Sequence, residues 1–278
     1  MTQATVGREQ GYALGHATDE LDRLVEQGRF FGDLTAQVLR QAGIARGMRV
    51  LDIGCGAGDV SFLAASLVGP EGTVIGVDRS PEAIDFATRR ATVAGLANVR
   101  FIAGDVAELA LDEPVDALIG RLILMYFPDP AVTLRRLLGL LKPDGIAAFH
   151  EFDLAGTKSL PTCPLFEQTM GHIRQALTRA GADIQTGLKL GWIFREAGLP
   201  EPQMILGARV ERGAASVVYE QVMQITRTLL PVIVRTGIAT AEEIGIATLA
   251  DRLREEAVAL DATLVSPCFI GGWVRKAS

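Results

Sequence analysis

The sequence predicts an α/β fold, a mostly parallel sheet with helices on both faces. Three observations carry this expectation. Apolar runs of strand length recur at Val50–Ile53, Thr73–Asp78, Val99–Ala103 and Val115–Ile119, each closed by a glycine or an acid. Helical patterns separate the runs, and strands that alternate with helices pair in parallel through crossovers on the sheet faces. The first run opens into a glycine loop, Gly54-Cys55-Gly56-Ala57-Gly58, with Asp52 just ahead of it.

Taken in order, Ala17 to Gln41 reads as one or two helices. Thr18 or Asp19 is the expected cap, and Leu21, Leu24, Val25, Phe30, Phe31, Leu34, Val38 and Leu39 form an apolar stripe. Ahead of it stands Gly11-Tyr12-Ala13-Leu14-Gly15-His16. The alternating core then runs from Met48 to Asp153. Its glycine loop allows a tight turn, and without Cβ atoms a ligand can lie directly against the backbone. The helix behind it offers unpaired N–H groups. A dinucleotide fingerprint would place its third glycine where Asp59 stands, which disfavours a nicotinamide dehydrogenase.

Asp78 follows at about the spacing that sets a carboxylate against ribose hydroxyls in doubly wound folds. Ser80-Pro81-Glu82 starts the next helix with a cap, a proline and an acid. The third strand ends at Gly104-Asp105-Val106, and the fourth leads into Gly120-Arg121-Leu122 and the run Leu124 to Pro130. Leu141 to Gly145 turns into a fifth strand, Ile146 to Phe152. Beyond it, Cys163 to Ala180 and Leu188 to Ala197 read as helices, Pro202 to Val210 as strand six and Leu264 to Val274 as strand seven. Two further helical patterns, Ala215 to Val234 and Ala241 to Leu260, lie between those last strands.

The ordered set of Asp52 with its glycine loop, Asp78, Asp105 and the turn at Leu141 to Gly145 resembles the class I S-adenosylmethionine (SAM)-dependent methyltransferases. Within them it looks most like the ubiquinone/menaquinone-biosynthesis small-molecule branch. The resemblance implies a Rossmann-like, seven-stranded, mostly parallel sheet of order 3-2-1-4-5-7-6, with a helical cap. A helical lid is expected over residues 1–45 and a methyltransferase domain over 46–278; the helices at about 154–187 and 213–262 depart from the family's minimal form and are expected to be cap insertions. The expected cofactor is SAM, with S-adenosylhomocysteine (SAH) as product. The cofactor-binding residues it implies are Tyr12, Asp52, Gly54, Cys55, Gly56, Gly58, Asp78, Arg79, Asp105, Val106 and Arg121. In this family the acid after strand three takes the adenine amino group, and its neighbour's backbone a ring nitrogen. Arg121 is expected beside the cofactor, paired with the methionyl carboxylate, Asp52 or Asp153.

Methyl transfer from a sulfonium needs a base only where the nucleophile carries a proton. The chain has three histidines, so candidate bases are few. His150 and Glu151, near the end of strand five, and His16 are the catalytic candidates; neighbours on a strand face opposite ways, so one of the first two is expected in the pocket. Tyr12 is placed to close over the cofactor. No metal-ligand cluster is expected. Strand four is not followed by the [ND]PP[YFW] pattern of exocyclic-amine enzymes.

Composition agrees. A net charge of −6 lacks the basic footprint of a nucleic-acid binder, and 49% hydrophobic residues supply a large core. Three scattered cysteines suit a reducing cytoplasm, and no membrane-spanning run or leader is expected. The expected function is methylation of a small, hydrophobic metabolite at carbon or oxygen. The alternative is a SAM-fold enzyme that uses the bound cofactor for a non-methylating rearrangement, cyclisation or elimination. The apolar helix of the insertion reads as core, as a cap over the methyl donor, or as a homodimer contact.

Overall fold

A computed structural model describes residues 18–277. Its elements are α1 (Thr18–Ala42), β1 (Arg49–Ile53), α2 (Asp59–Val68), β2 (Thr73–Asp78), α3 (Pro81–Val93), β3 (Val99–Ala103), β4 (Val115–Arg121), α4 (Pro130–Leu137) and β5 (Leu141–Asp153). They continue with β6 (Lys158–Leu160), α5 (Pro164–Arg179), α6 (Thr186–Ala197), β7 (Gln203–Gly207), β8 (Val210–Arg212), α7 (Val218–Arg235), α8 (Ala241–Ile244), α9 (Leu249–Ala259), β9 (Thr263–Val265) and β10 (Cys268–Arg275).

The main sheet has the order β3-β2-β1-β4-β5-β10-β7. This is the expected 3-2-1-4-5-7-6 arrangement, with chain numbering displaced by three short strands that the sequence reading did not identify. The first five strands run parallel, and β10 is antiparallel to both β5 and β7. The three short strands form a second sheet, β6-β9-β8. Expected strand seven is therefore two strands: β9 joins the small sheet, Ser266-Pro267 breaks the run, and β10 enters the large one. Expected strand six likewise divides into β7 and β8. The second helical pattern of the insertion breaks at Gly245, in the left-handed region, into α8 and α9.

Alternation along the strands sorts the core into two layers. Val50, Val74, Ala117, Ile119, Ile146, Ala148 and Trp273 face α1 and α2, where Val38, Leu39, Ala64 and Val68 meet them. Leu51, Ile53, Ile75, Leu118, Ala147 and Phe149 face the other way, against Leu134 and Leu137 of α4 and Leu190 and Phe194 of α6. The second half of α1 thus belongs to the core. Local chemistry starts the helices. Ser80 Oγ accepts the Ala83 N–H at 3.1 Å with Pro81 at the first helical position. Asp129 Oδ1 accepts the Val132 N–H at 2.9 Å ahead of α4, in the same arrangement with Pro130.

A third cluster forms the cap. Phe166, Met170 and Ile173 of α5 pack with Tyr219, Val222, Leu229 and Ile233 of α7 and with Leu249 and Leu253 around α9. Phe30 and Phe31 of α1 join it, stacked edge to face at 4.6 Å. The apolar insertion helix is therefore cap core. Among the described residues no helix is long and apolar enough to cross a membrane.

Candidate active site

A cavity of about 510 Å³ opens over the carboxyl ends of β1, β2, β4 and β5. One half is lined by Gly54 to Ala57 of the glycine loop, without the expected Gly58, and by Asp59, Asp78, Arg79, Val106 and Arg121. The other is lined by Phe30, Phe31, Phe152, Leu154, Met170, Ile173, Val218, Val222 and Ile225. The sheet edge and its loops supply the polar half, and α1, the end of β5, α5 and α7 supply the apolar half.

The loop is shaped by its glycines. Gly54, Gly56 and Gly58 have φ of +64°, +50° and +88°, the left-handed region that side chains rarely adopt. A Cβ on Gly54 would sit 2.5 Å from Ile123 Cδ1, and one on Gly58 would sit 2.9 Å from the Phe62 ring. Asp78 holds the loop closed: Oδ2 accepts the Gly56 N–H at 2.9 Å and Oδ1 the Ser80 N–H at 3.0 Å. Asp59 at the start of α2 is engaged by Arg90, with contacts of 2.9 and 3.2 Å.

Four expected residues take other positions. Asp52 lies on the α2 face of β1, so its side chain points under the loop and not into the cavity. Its Oδ2 accepts the Ser61 hydroxyl at 2.6 Å. Burial pushes its pKa up to about 7, against the Ser61 hydrogen bond and the Arg121 charge. Asp105 turns away from the cavity to pair with Arg79 at 2.7 Å and to accept the Ala107 N–H at 2.8 Å. Burial works against its charge, yet those partners hold the carboxyl below the usual range. Its neighbour Val106 lines the cavity in its place.

The expectation that His150 or Glu151 points into the pocket is not met. Alternation sends them to opposite faces of β5, and each face is covered. His150 lies under α1, where Nδ1 meets Thr35 Oγ1 at 3.1 Å and the ring stands edge to face with Phe269 at 4.4 Å. Burial, and then Arg121, hold its pKa well below the imidazole range. Glu151 lies on the α4/α6 face, where Oε1 accepts the N–H groups of Ile123 and Leu124 at 3.0 and 2.8 Å. Burial pushes its pKa up to about 8.

Arg121 lines the cavity and donates to Thr35 Oγ1 at 3.3 Å. It forms no ion pair with Asp52 or Asp153: the first is held by Ser61, and the second caps Ala155 at 3.0 Å. Burial lowers its pKa, and the charges of Asp59 and Asp52 oppose the shift. Cys55 lines the cavity with a thiol raised well above its ordinary value by burial and by Asp52 and Asp78. Tyr12 and His16 lie outside the described residues.

Sequence reasoning did not place the aromatic run Tyr126-Phe127 or Phe152 in the site, although both line the cavity. The run after strand four was a usable signal, because it stands at the strand edge where ligands bind.

A family model described as a methyltransferase domain matches residues 44–198, more than half of the 278. The chain belongs to this methyltransferase-domain family. The matched region carries the glycine loop, Asp78, Val106, Arg121 and β5. The chain is similar to demethylmenaquinone methyltransferase of Staphylococcus aureus, 32% identical over 133 residues, 48% of this chain and 52% of the relative. It spans about half the length of the curated relatives it matches. Among solved structures, a putative methyltransferase from Bacillus halodurans superposes at TM-score 0.59 with 16% identity, covering 88% of this chain and 99% of that one. YcgJ of Bacillus subtilis gives 0.57 and 20% over the same shares. The chain thus has a Rossmann-like methyltransferase fold, and the cofactor that this family implies is SAM.

The residues present fit that cofactor. Left-handed glycines leave a shelf of bare backbone, the Asp78 carboxylate faces it, and the partly buried guanidinium of Arg121 stands in its wall with no ion-pair partner among the described residues. A buried cation is costly without an anion, so the wall suits a ligand that carries one.

Proposed function

We propose that the protein transfers a methyl group from SAM to a small, largely apolar acceptor, with carbon or oxygen as the favoured site. The observation that carries this reading is the single cavity in which the glycine loop and Asp78 adjoin an aromatic and aliphatic chamber. Bound SAM would supply a methyl carbon already activated by positive sulfur. Gly54, Gly56, Asp78, Val106 and Arg121 would hold it, with Asp78 toward hydroxyls and Arg121 toward the carboxylate. Phe30, Phe31, Phe152, Met170 and Val222 would exclude water and hold the acceptor in line. Incubation with methyl-labelled SAM and a library of hydrophobic metabolites tests the reading. Label in an acceptor supports it, and labelled SAM recovered intact from every mixture overturns it.

One observation keeps the second reading in view. Both carboxylates of the described lining are engaged, Asp78 by two backbone N–H groups and Asp59 by Arg90. No described histidine lines the cavity. A described lining without a free base suits a nucleophile that needs none, or a rearrangement promoted by the cofactor's charge. An altered acceptor that carries no label would favour the latter.

Two predictions follow from the lining. Val222→Trp fills the apolar half, so turnover should fall at least about tenfold while SAH affinity stays within about twofold. Parallel loss of both in turnover and calorimetric measurements would show that the halves are not separate. Among the described residues no group of three or more metal-ligating side chains could hold an ion. We therefore expect turnover to survive EDTA, and restoration by magnesium after EDTA treatment would contradict this.

A further inference from the structure

Glu151 is a fully buried carboxyl with no part in the proposed chemistry. Its Oε1 accepts two N–H groups, from Ile123 and Leu124, while Oε2 is buried without a hydrogen-bond partner. A half-satisfied carboxyl is a costly way to fill a core. What it provides is one oxygen shared by successive N–H groups of the turn after β4.

That turn is in an unfavourable conformation. Leu122 has φ +53°, a left-handed value for a branched, non-glycine residue. Such a conformation persists only where its surroundings fix it, and here successive residues of β5 do so. The Leu122 N–H donates to the His150 carbonyl at 2.9 Å, and the next two N–H groups donate to Glu151. The turn also touches both halves of the cavity. Ile123 packs over Gly54, and the Met125 carbonyl accepts the Asp183 N–H at 3.0 Å, between α5 and α6 of the cap side. Leu122, Ile123, Met125 and Tyr126 all line the cavity.

We propose that Glu151 is a positioning residue: by holding the turn from Leu122 to Tyr126, it sets the spacing between the cofactor half and the acceptor half of the cavity. What those halves hold rests on the methyltransferase reading above. The holding itself is a property of the chain alone.

Amide hydrogen exchange by NMR on the unliganded protein, with calorimetric titration of SAH, tests this on wild type, Glu151→Gln and Glu151→Leu. Glutamine keeps an acceptor oxygen in place, and leucine fills a similar volume without one. Leucine should speed exchange at Ile123 and Leu124 and weaken SAH binding, each by about tenfold or more, with β1 and β2 amides unchanged. Glutamine should keep both readouts within about threefold. Wild-type exchange in the leucine variant would overturn the proposal, as would equal losses in both variants. Should the leucine variant not fold, Glu151→Asp withdraws the oxygen by one methylene. Faster exchange at the same two amides then supports the proposal, and unchanged exchange overturns it. If wild type does not bind SAH, the methyltransferase reading fails, while exchange at those amides still decides the role of Glu151.

Discussion

Folding stability is expected to fall by about 3 kcal/mol as pH rises from about 6.5 to about 8, most steeply near neutrality. The cause is a pair of buried carboxyls. In the unfolded chain Asp52 and Glu151 ionise near their ordinary values of 3.8 and 4.5, but in the folded protein only near about 7 and about 8. Between those limits the native state binds more protons, so each rise in pH favours unfolding. Each carboxyl contributes a slope of about 1.4 kcal/mol per pH unit. His150 acts in the opposite sense. Its folded pKa lies well below 6.5, so the unfolded state takes the extra proton, and stability rises with pH up to about 6.5. It therefore opposes the carboxyls on the acid side. Above about 6.5 both carboxyls act unopposed until Asp52 ionises, and Glu151 then acts alone to about pH 8. Urea unfolding at four pH values spanning this range measures the profile. Asp52→Asn should remove the component ending near 7, and Glu151→Gln the one ending near 8. A flat wild-type profile would mean that neither carboxyl keeps its proton in the folded protein.

Asp78→Ala is expected to weaken SAH binding by about 100-fold, close to 3 kcal/mol. The effect has two sources. The carboxylate closes the glycine loop through Gly56 and Ser80, so its loss frees two backbone N–H groups and the loop they shape. It also removes the acceptor proposed for the ligand's hydroxyls. Asp78→Asn keeps one acceptor oxygen and should lose about tenfold. Calorimetry on both variants, with circular dichroism to confirm the fold, separates the two sources. Affinity within twofold of wild type for the alanine variant would remove Asp78 from the site.

The parts of this architecture that obey local rules were legible in the residues. Strands β1 to β3 lie where their apolar runs and closing acids or glycines put them, and Ser80-Pro81 starts α3 as its capping chemistry requires. The small sheet was not legible, because strands such as β6, β8 and β9 are too short to show a period. The site divides in the same way. Glycines and Asp78 declare themselves through backbone demands. Asp105 and Arg79 pair across two loops, and nothing local marks that pairing. For His150 and Glu151, alternation told that they diverge, but what covers each face depends on α1 and on the turn at Ile123, both remote in the chain. The start of α4 was a missed local signal, since Asp129-Pro130 is a cap followed by proline.

The placement of β10 bears on how the molecule is made. This strand is the last of the main sheet to leave the ribosome, yet it lies inside the sheet, between β5 and β7. Until it arrives, β5 presents an open flank and β7 has no neighbour. The nascent chain must keep those edges from pairing elsewhere while the cap helices are still being synthesised. The half from β1 to β4 carries its own contiguous pairings and can close first. Biogenesis would therefore proceed from the glycine-loop side outward, with the main sheet completed by a single late insertion.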